Sequence, residues 1–149
     1  MAAYSVIPNA QYGRGFHLEL ARQRVAQLTE VTRDEFEIHV GDARYRIDTA
    51  SFSGTRFRLL DENSRVLATA ERPDAISPSY EVLANGRKIC EIQPVSTFGR
   101  KHHVLIDQNI VGLIDPDDIT TRTATAQLPD DVELPLCCFL VWLVQQRVR

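Results

Sequence analysis

Apolar and polar residues alternate through the middle of the chain. Phe36, Ile38 and Val40 are spaced by Glu37 and His39; Tyr45 and Ile47 by Arg44, Arg46 and Asp48; Phe57 and Leu59 by Arg56 and Arg58. A period of two puts one side of each segment against a core and the other in water, which is the pattern of a strand. Val66, Ala68 and Ala70, then Tyr80 and Val82, Cys90 and Ile92, and Val104 and Ile106 continue it, and the Thr-rich run from Thr120 to Gln127 fits a further strand. Turn signals fall between the segments at Gly41-Asp42, Glu62-Asn63, Asn85-Gly86 and Gln108-Asn109, with spacings of 21, 23 and 23 residues. Asn-Gly is the strongest of these, because a tight hairpin needs positive φ at both turn positions. Pro73, Pro78, Pro94 and Pro116 lie between hairpins, where a missing N–H breaks no ladder. The pattern predicts a meander of hairpins over residues 36–128, and a sheet of that many strands removes its edges by closing on itself.

The two ends of the chain differ from this. In residues 1–35, Leu18, Ala21, Val25 and Leu28 are spaced to line one face of a helix, while Phe16, Leu18 and Leu20 alternate as in a strand; the reading leans to helix. At the other end, Pro129-Asp130-Asp131 supplies a turn and cap candidates, Pro135 suits a first helical turn, and Leu136 to Val144 is an unbroken apolar run ending at Gln145-Gln146-Arg147. A helix over 131–146 would be apolar on every side and must therefore be enclosed by protein. In a chain of hairpins the enclosure is the barrel interior. A buried central strand is the alternative.

Length and composition then narrow the class. With 149 residues, 44% of them apolar, the chain is one domain, 1–149. A net charge of -3 announces no nucleic-acid partner. Nine apolar residues in the longest run fall short of the about 20 that a membrane-spanning helix needs, and the first residues lack the pattern of a secretory signal, so the expected location is cytoplasmic. Cys90, Cys137 and Cys138 have neither disulfide nor zinc spacing and read as small buried residues. Fifteen of the seventeen basic residues are Arg, the side chain suited to bidentate phosphate contacts, although codon usage in a GC-rich genome would produce the same bias.

The succession Phe57 to Ala70, then Tyr80 to Ile89, the Phe98 to Asp107 arm and the terminal helix resembles the tubby C-terminal-like superfamily, in its LURP-one-related and phospholipid-scramblase-like branch. The resemblance covers roughly residues 36 to 146. It implies a mainly β fold: a closed antiparallel barrel of about twelve strands around a buried hydrophobic C-terminal helix, with the first 35 residues supplying the missing strands. It implies no catalytic residues. Tubby-type members meet phosphoinositide headgroups with basic residues two apart on an outer strand, scramblase-like members are tied to membranes, and plant LURP-one relatives to defence responses. The chain lacks the acidic calcium stretch, the separate membrane-spanning tail and the cysteine run of a scramblase, so lipid scrambling is not expected of it.

Arg44 with Arg46, and Arg56 with Arg58, place two guanidinium groups on the wet face of each of two neighbouring strands, and Arg87-Lys88 and Arg100-Lys101 add charge. Arg44, Arg46, Arg56, Arg58, Arg100 and Lys101 are therefore the candidate site for anionic lipid headgroups, by charge-assisted hydrogen bonding to phosphate. The plainer reading is a solvated exterior neutralised by Asp48, Glu62 and Glu71, each pair worth under about 1 kcal/mol. Nucleic acid is disfavoured for want of exposed aromatic residues to stack on bases.

Other constellations carry less. His102 and His103 are adjacent, so on a strand they face opposite ways and share no metal. His17 and His39 are isolated, and no Ser or Cys stands in a nucleophile spacing with them. Ser51-Phe52-Ser53-Gly54 is similar to the Ser-x-x-Gly part of a PilZ cyclic-dinucleotide barrel, but Thr49 stands where that pattern has an acid or Asn. The Asp115-Pro116-Asp117-Asp118 and Asp130-Asp131 loops lack the Gly and distal Glu of a calcium loop. The expectation is a non-enzymatic binding or scaffold module without cofactor or metal, its partner an anionic membrane surface met peripherally, or alternatively another protein.

Overall fold

The protein is described from a computed structural model that covers every residue except 10–13, 52–54, 75, 97–98, 117–122 and 148–149. The middle of the chain folds as its alternation requires. Strands β4 (Glu35–Val40), β5 (Ala43–Thr49), β6 (Arg56–Leu60) and β7 (Val66–Glu71) are followed by β8 (Tyr80–Ala84), β9 (Arg87–Pro94), β10 (His102–Ile106), β11 (Asn109–Asp115) and β12 (Ala124–Leu128). Ahead of them stand β1 (Ala2–Pro8), β2 (Phe16–Leu20) and β3 (Gln23–Thr32). Each strand pairs antiparallel with the next, and β1 pairs with β12, Ala2 opposite Leu128, so that twelve strands form a closed barrel.

The helix expected in the first 35 residues is replaced by these three strands. Phe16 lies opposite Leu28, and Leu18 opposite Ala26, which puts all four on the inner wall. A helix there would have left β4 and β12 as open edges with unpaired backbone groups. The connecting turn is silent in the sequence because Ala21 and Arg22, not Gly or Asn, take φ of 52° and 68°. Elsewhere the turn chemistry is orthodox. Asn85 and Gly86 both have positive φ, and the Asp61 carboxylate accepts the N–H groups of Asn63 and Arg65 at 2.8 and 2.9 Å. The turn expected at Gln108-Asn109 sits one residue earlier, with positive φ at Asp107 and Gln108 and Asn109 already in β11.

Helix α1 (Leu134–Arg147) runs through the barrel interior. The N–H of Cys137 donates to the Glu133 carbonyl at 2.9 Å, so the expected residues 131–133 form a lead-in turn and the helix starts at Leu134. Every residue from Cys137 to Val144 is nearly inaccessible to water. Trp142 meets the edges of Phe36 and Phe57 at centroid distances of 5.2 and 5.1 Å and stacks on Phe139 at 6.3 Å. That an apolar helix without a polar face survives is explained by this complete enclosure.

Because antiparallel strands alternate in direction, the turns at Ala21-Arg22, Gly41-Asp42, Asp61–Arg65, Asn85-Gly86 and Asp107-Gln108 all lie at one end of the barrel, together with the start of α1. We call this the turn end. The longer connections, among them 50–55, 72–79 and 95–101, lie at the other, the loop end, where α1 finishes.

Candidate functional site

The arginines singled out on β5 and β6 project from neighbouring strands but do not converge. In the register of the pair, Arg46 lies opposite Leu60 and Arg58 opposite Asp48, so Arg44 and Arg46 sit toward the turn end while Arg56 and Arg58 sit toward the loop end. Arg58 holds Asp48 through both arms of its fork, Nε to Oδ1 at 2.8 Å and Nη2 to Oδ2 at 2.7 Å, and this hydrogen bonding raises its pKa above the ordinary arginine value. Arg56 pairs with Glu71, its register partner on β7, at 3.0 Å. Arg46 is held more loosely, 3.6 Å from Glu35 and donating to the Ser64 hydroxyl at 2.9 Å. Arg44 gives its backbone N–H to Glu62 at 2.9 Å, and its exposed guanidinium has no ion pair with a described residue. Asp48, Glu62 and Glu71, the acids that the plainer reading named, are all engaged with this group.

Arg100 and Lys101 belong to another sector. They precede β10, four strands round from β6 and at the loop end. Arg100 donates to the Pro116 carbonyl at 3.3 Å and Lys101 lies 3.7 Å from Asp115. His102 points inward and is buried, with Nδ1 2.9 Å from the Arg100 carbonyl, while His103 is half-buried on the other face. Lys88 pairs with Glu91. Of the Ser51 to Gly54 stretch, only Ser51 lies within the described residues; its hydroxyl accepts the N–H groups of Thr55 and Arg56, both at 3.2 Å.

The turn end carries features that strand alternation did not announce. Leu20, Val66, Leu67, Ile106 and Ile110 flank the turns there and are exposed, Ile110 to 61%. Arg22, Arg24, Arg65 and Arg87 stand beside them, exposed like Arg44 and with no ion pair to a described residue. Asp42, Asp107 and Asp131 are interspersed. The signal that could have found this end is the doubled apolar pair beside a turn, Val66-Leu67 and Ile110-Val111, since two adjacent apolar residues on a strand cannot both face the core.

Each end also has a recess against α1. At the turn end an apolar slot of about 390 Å³ lies between α1 and the wall formed by β6 to β11. Cys90 is part of that wall, and burial pushes its thiol up to about 12. At the loop end a more polar recess of about 520 Å³ is bordered by Arg14, Arg33, Asp34, Trp142 and Gln146. There the Arg14 guanidinium lies 4.8 Å above the Phe36 ring and pairs with Glu30, and the buried Nε1–H of Trp142 has no hydrogen-bond partner among the described residues. Among the described residues no helix is long and apolar enough to cross a membrane.

No family model matches the chain, and no curated protein matches it. The chain is similar in fold to the crystal structure of an Arabidopsis thaliana protein, a LURP-one-related protein, with a TM-score of 0.70 over 99% of this chain and 91% of the other at 13% identity. At that identity the likeness is one of fold: a barrel of twelve strands with a C-terminal helix.

Proposed function

We propose that this chain is a non-enzymatic binding module that docks peripherally on anionic phospholipid surfaces, with Arg44 and Arg46 as the headgroup-facing members of the arginine set. One observation carries the reading: guanidinium groups without an ion pair to a described residue and exposed apolar side chains occur together at the turn end of the barrel. Apolar side chains that enter the headgroup boundary and arginines that meet lipid phosphate are the two components of peripheral membrane attachment. Arg56 and Arg58, already paired with Glu71 and Asp48, contribute less, because breaking those pairs, the two-armed Arg58–Asp48 pair above all, offsets much of what a phosphate contact would gain.

Co-sedimentation with phosphatidylcholine and with phosphatidylserine vesicles, at low and physiological salt, tests the reading. Binding to the anionic vesicles alone, weakened by salt and lost in an Arg44→Ala, Arg46→Ala, Arg65→Ala variant, is the expected result. Absence of binding at low salt, or unchanged binding by the variant, overturns it and leaves a protein partner as the occupant of this end.

A further inference from the structure

The helix does not sit on the barrel axis. Its closest strand neighbours are β3 and β4, and in the ring of twelve the strands diametrically opposite these are β9 and β10. The slot lies on that opposite side, so it is the space left by an off-centre helix. The wall facing it is thinned by small side chains, Ala68, Ala84 and Cys90, where bulkier residues would have closed the gap. Of sixteen lining residues fourteen are apolar, and the two that are charged, Asp131 and Glu133, are both acidic and both stand in the lead-in to α1. Neither has an ion pair with a described residue, whereas the neighbouring Asp130 is met by the Met1 amino group at 3.2 Å.

We propose that this slot binds the chain of a single-chain amphiphile with a cationic head, the alkyl part lying against Ala68, Ala84, Cys90 and Leu136 and the head meeting Asp131 and Glu133. The size is suitable. About 390 Å³ lies within the ~300–1,000 Å³ of ligand pockets, and if a methylene takes roughly the ~30 Å³ of a water molecule, a chain of about ten carbons fits. An alkyl chain lying along these apolar walls gains dispersion contacts with all of them. The sign of the head follows from the lining. Its only charged members among the described residues are Asp131 and Glu133, two carboxylates that outweigh the about half a positive charge at the start of the helix, while the turn-end arginines such as Arg65 and Arg87 lie outside the lining. The proposal concerns a monomeric ligand in water and does not depend on vesicle docking.

The test uses three ten-carbon compounds that differ only in the head, decylamine, decan-1-ol and decanoate, the two ionic ones well below their micelle concentrations and the alcohol below its solubility limit, with binding read by calorimetry and by the shift in unfolding temperature. Decylamine is expected to bind one to one and raise the unfolding temperature, decanol more weakly, and decanoate at least tenfold more weakly than the amine. Ala84→Leu, half-buried and therefore tolerant of the added carbons, is expected to keep its fold and lose the binding. Asp131→Asn with Glu133→Gln is expected to abolish the preference for amine over alcohol while leaving decanol binding in place. Binding of decanoate as tight as that of decylamine, binding undiminished in Ala84→Leu, or no binding of any of the three overturns the proposal. Vesicle binding by the same preparation reports on the membrane reading separately, so failure of one is distinguishable from failure of the other.

Discussion

Arg58 and Asp48 face each other across β5 and β6, and the guanidinium spans both carboxylate oxygens at 2.8 and 2.7 Å. Two residues ten apart in the chain thus neutralise each other on a surface that alternation alone would read as free positive charge. The pair is partly exposed, so its geometry is worth more as a fixer of register than as a source of stability. Arg58→Ala and Asp48→Asn are each expected to cost on the order of 1 kcal/mol or less. A double-mutant cycle by urea unfolding checks this, and a coupling energy of zero would mean the pair is a passive contact.

The arginine set predicts two different outcomes on anionic vesicles. Arg44→Ala with Arg46→Ala should remove most binding at low salt, since these groups lie at the turn end, where Val66, two strands round from them, and further apolar side chains are exposed. Arg100→Ala with Lys101→Ala, at the loop end and engaged with Pro116 and Asp115, should leave it nearly intact. Co-sedimentation of both variants beside the unmodified chain decides it; equal loss in the two would show that net charge, not location, drives attachment. Ile110→Ser, which removes a strongly exposed apolar side chain of that end, is expected to weaken binding at every salt concentration.

Trp142 is the single tryptophan and is almost wholly enclosed by Phe36, Phe57 and Phe139. Its emission should be blue-shifted and inaccessible to iodide in the folded state, and should move to the red on unfolding. Trp142→Ala is expected to cost about 3–5 kcal/mol through lost burial and the cavity left behind. Red, quenchable emission from the native protein would contradict a helix inside the barrel.

Alkaline pH should weaken the fold in a defined range. Burial pushes Cys90 up to about 12 and Cys137 to about 11 from an ordinary 9.0, and pushes Tyr4 from 10.0 to about 12. The folded chain therefore keeps protons that the unfolded chain releases, so the stabilisation is complete below pH 9 and is lost as pH rises from 9 toward 12. The urea midpoint is expected to be level below pH 9 and to fall above it, and Cys90→Ala should make that fall shallower. A level midpoint throughout would show that these groups are hydrated in the native state.

The sequence by itself determined the local geometry of this protein. A period of two from Phe36 onward, Asn85-Gly86 with both φ positive, and an apolar run after Pro135 each require only near neighbours, so β4 to β12 and α1 stand where the residues put them. Only the tertiary structure decided the rest, because the deciding contacts join residues far apart in the chain. Residues 16–32 are consistent with helix or strand until β4 and β12 demand partners, and the closure of the barrel then makes them strand. Four arginines look alike in sequence until register seats Arg58 on Asp48 and Arg56 on Glu71 and leaves the Arg44 guanidinium without an ion pair to a described residue, Glu62 being taken by the Arg44 backbone N–H. The slot beside Ala68 and Cys90 has no signature at all, since it arises from where α1 rests across the barrel, a matter of packing between opposite walls that no run of residues encodes.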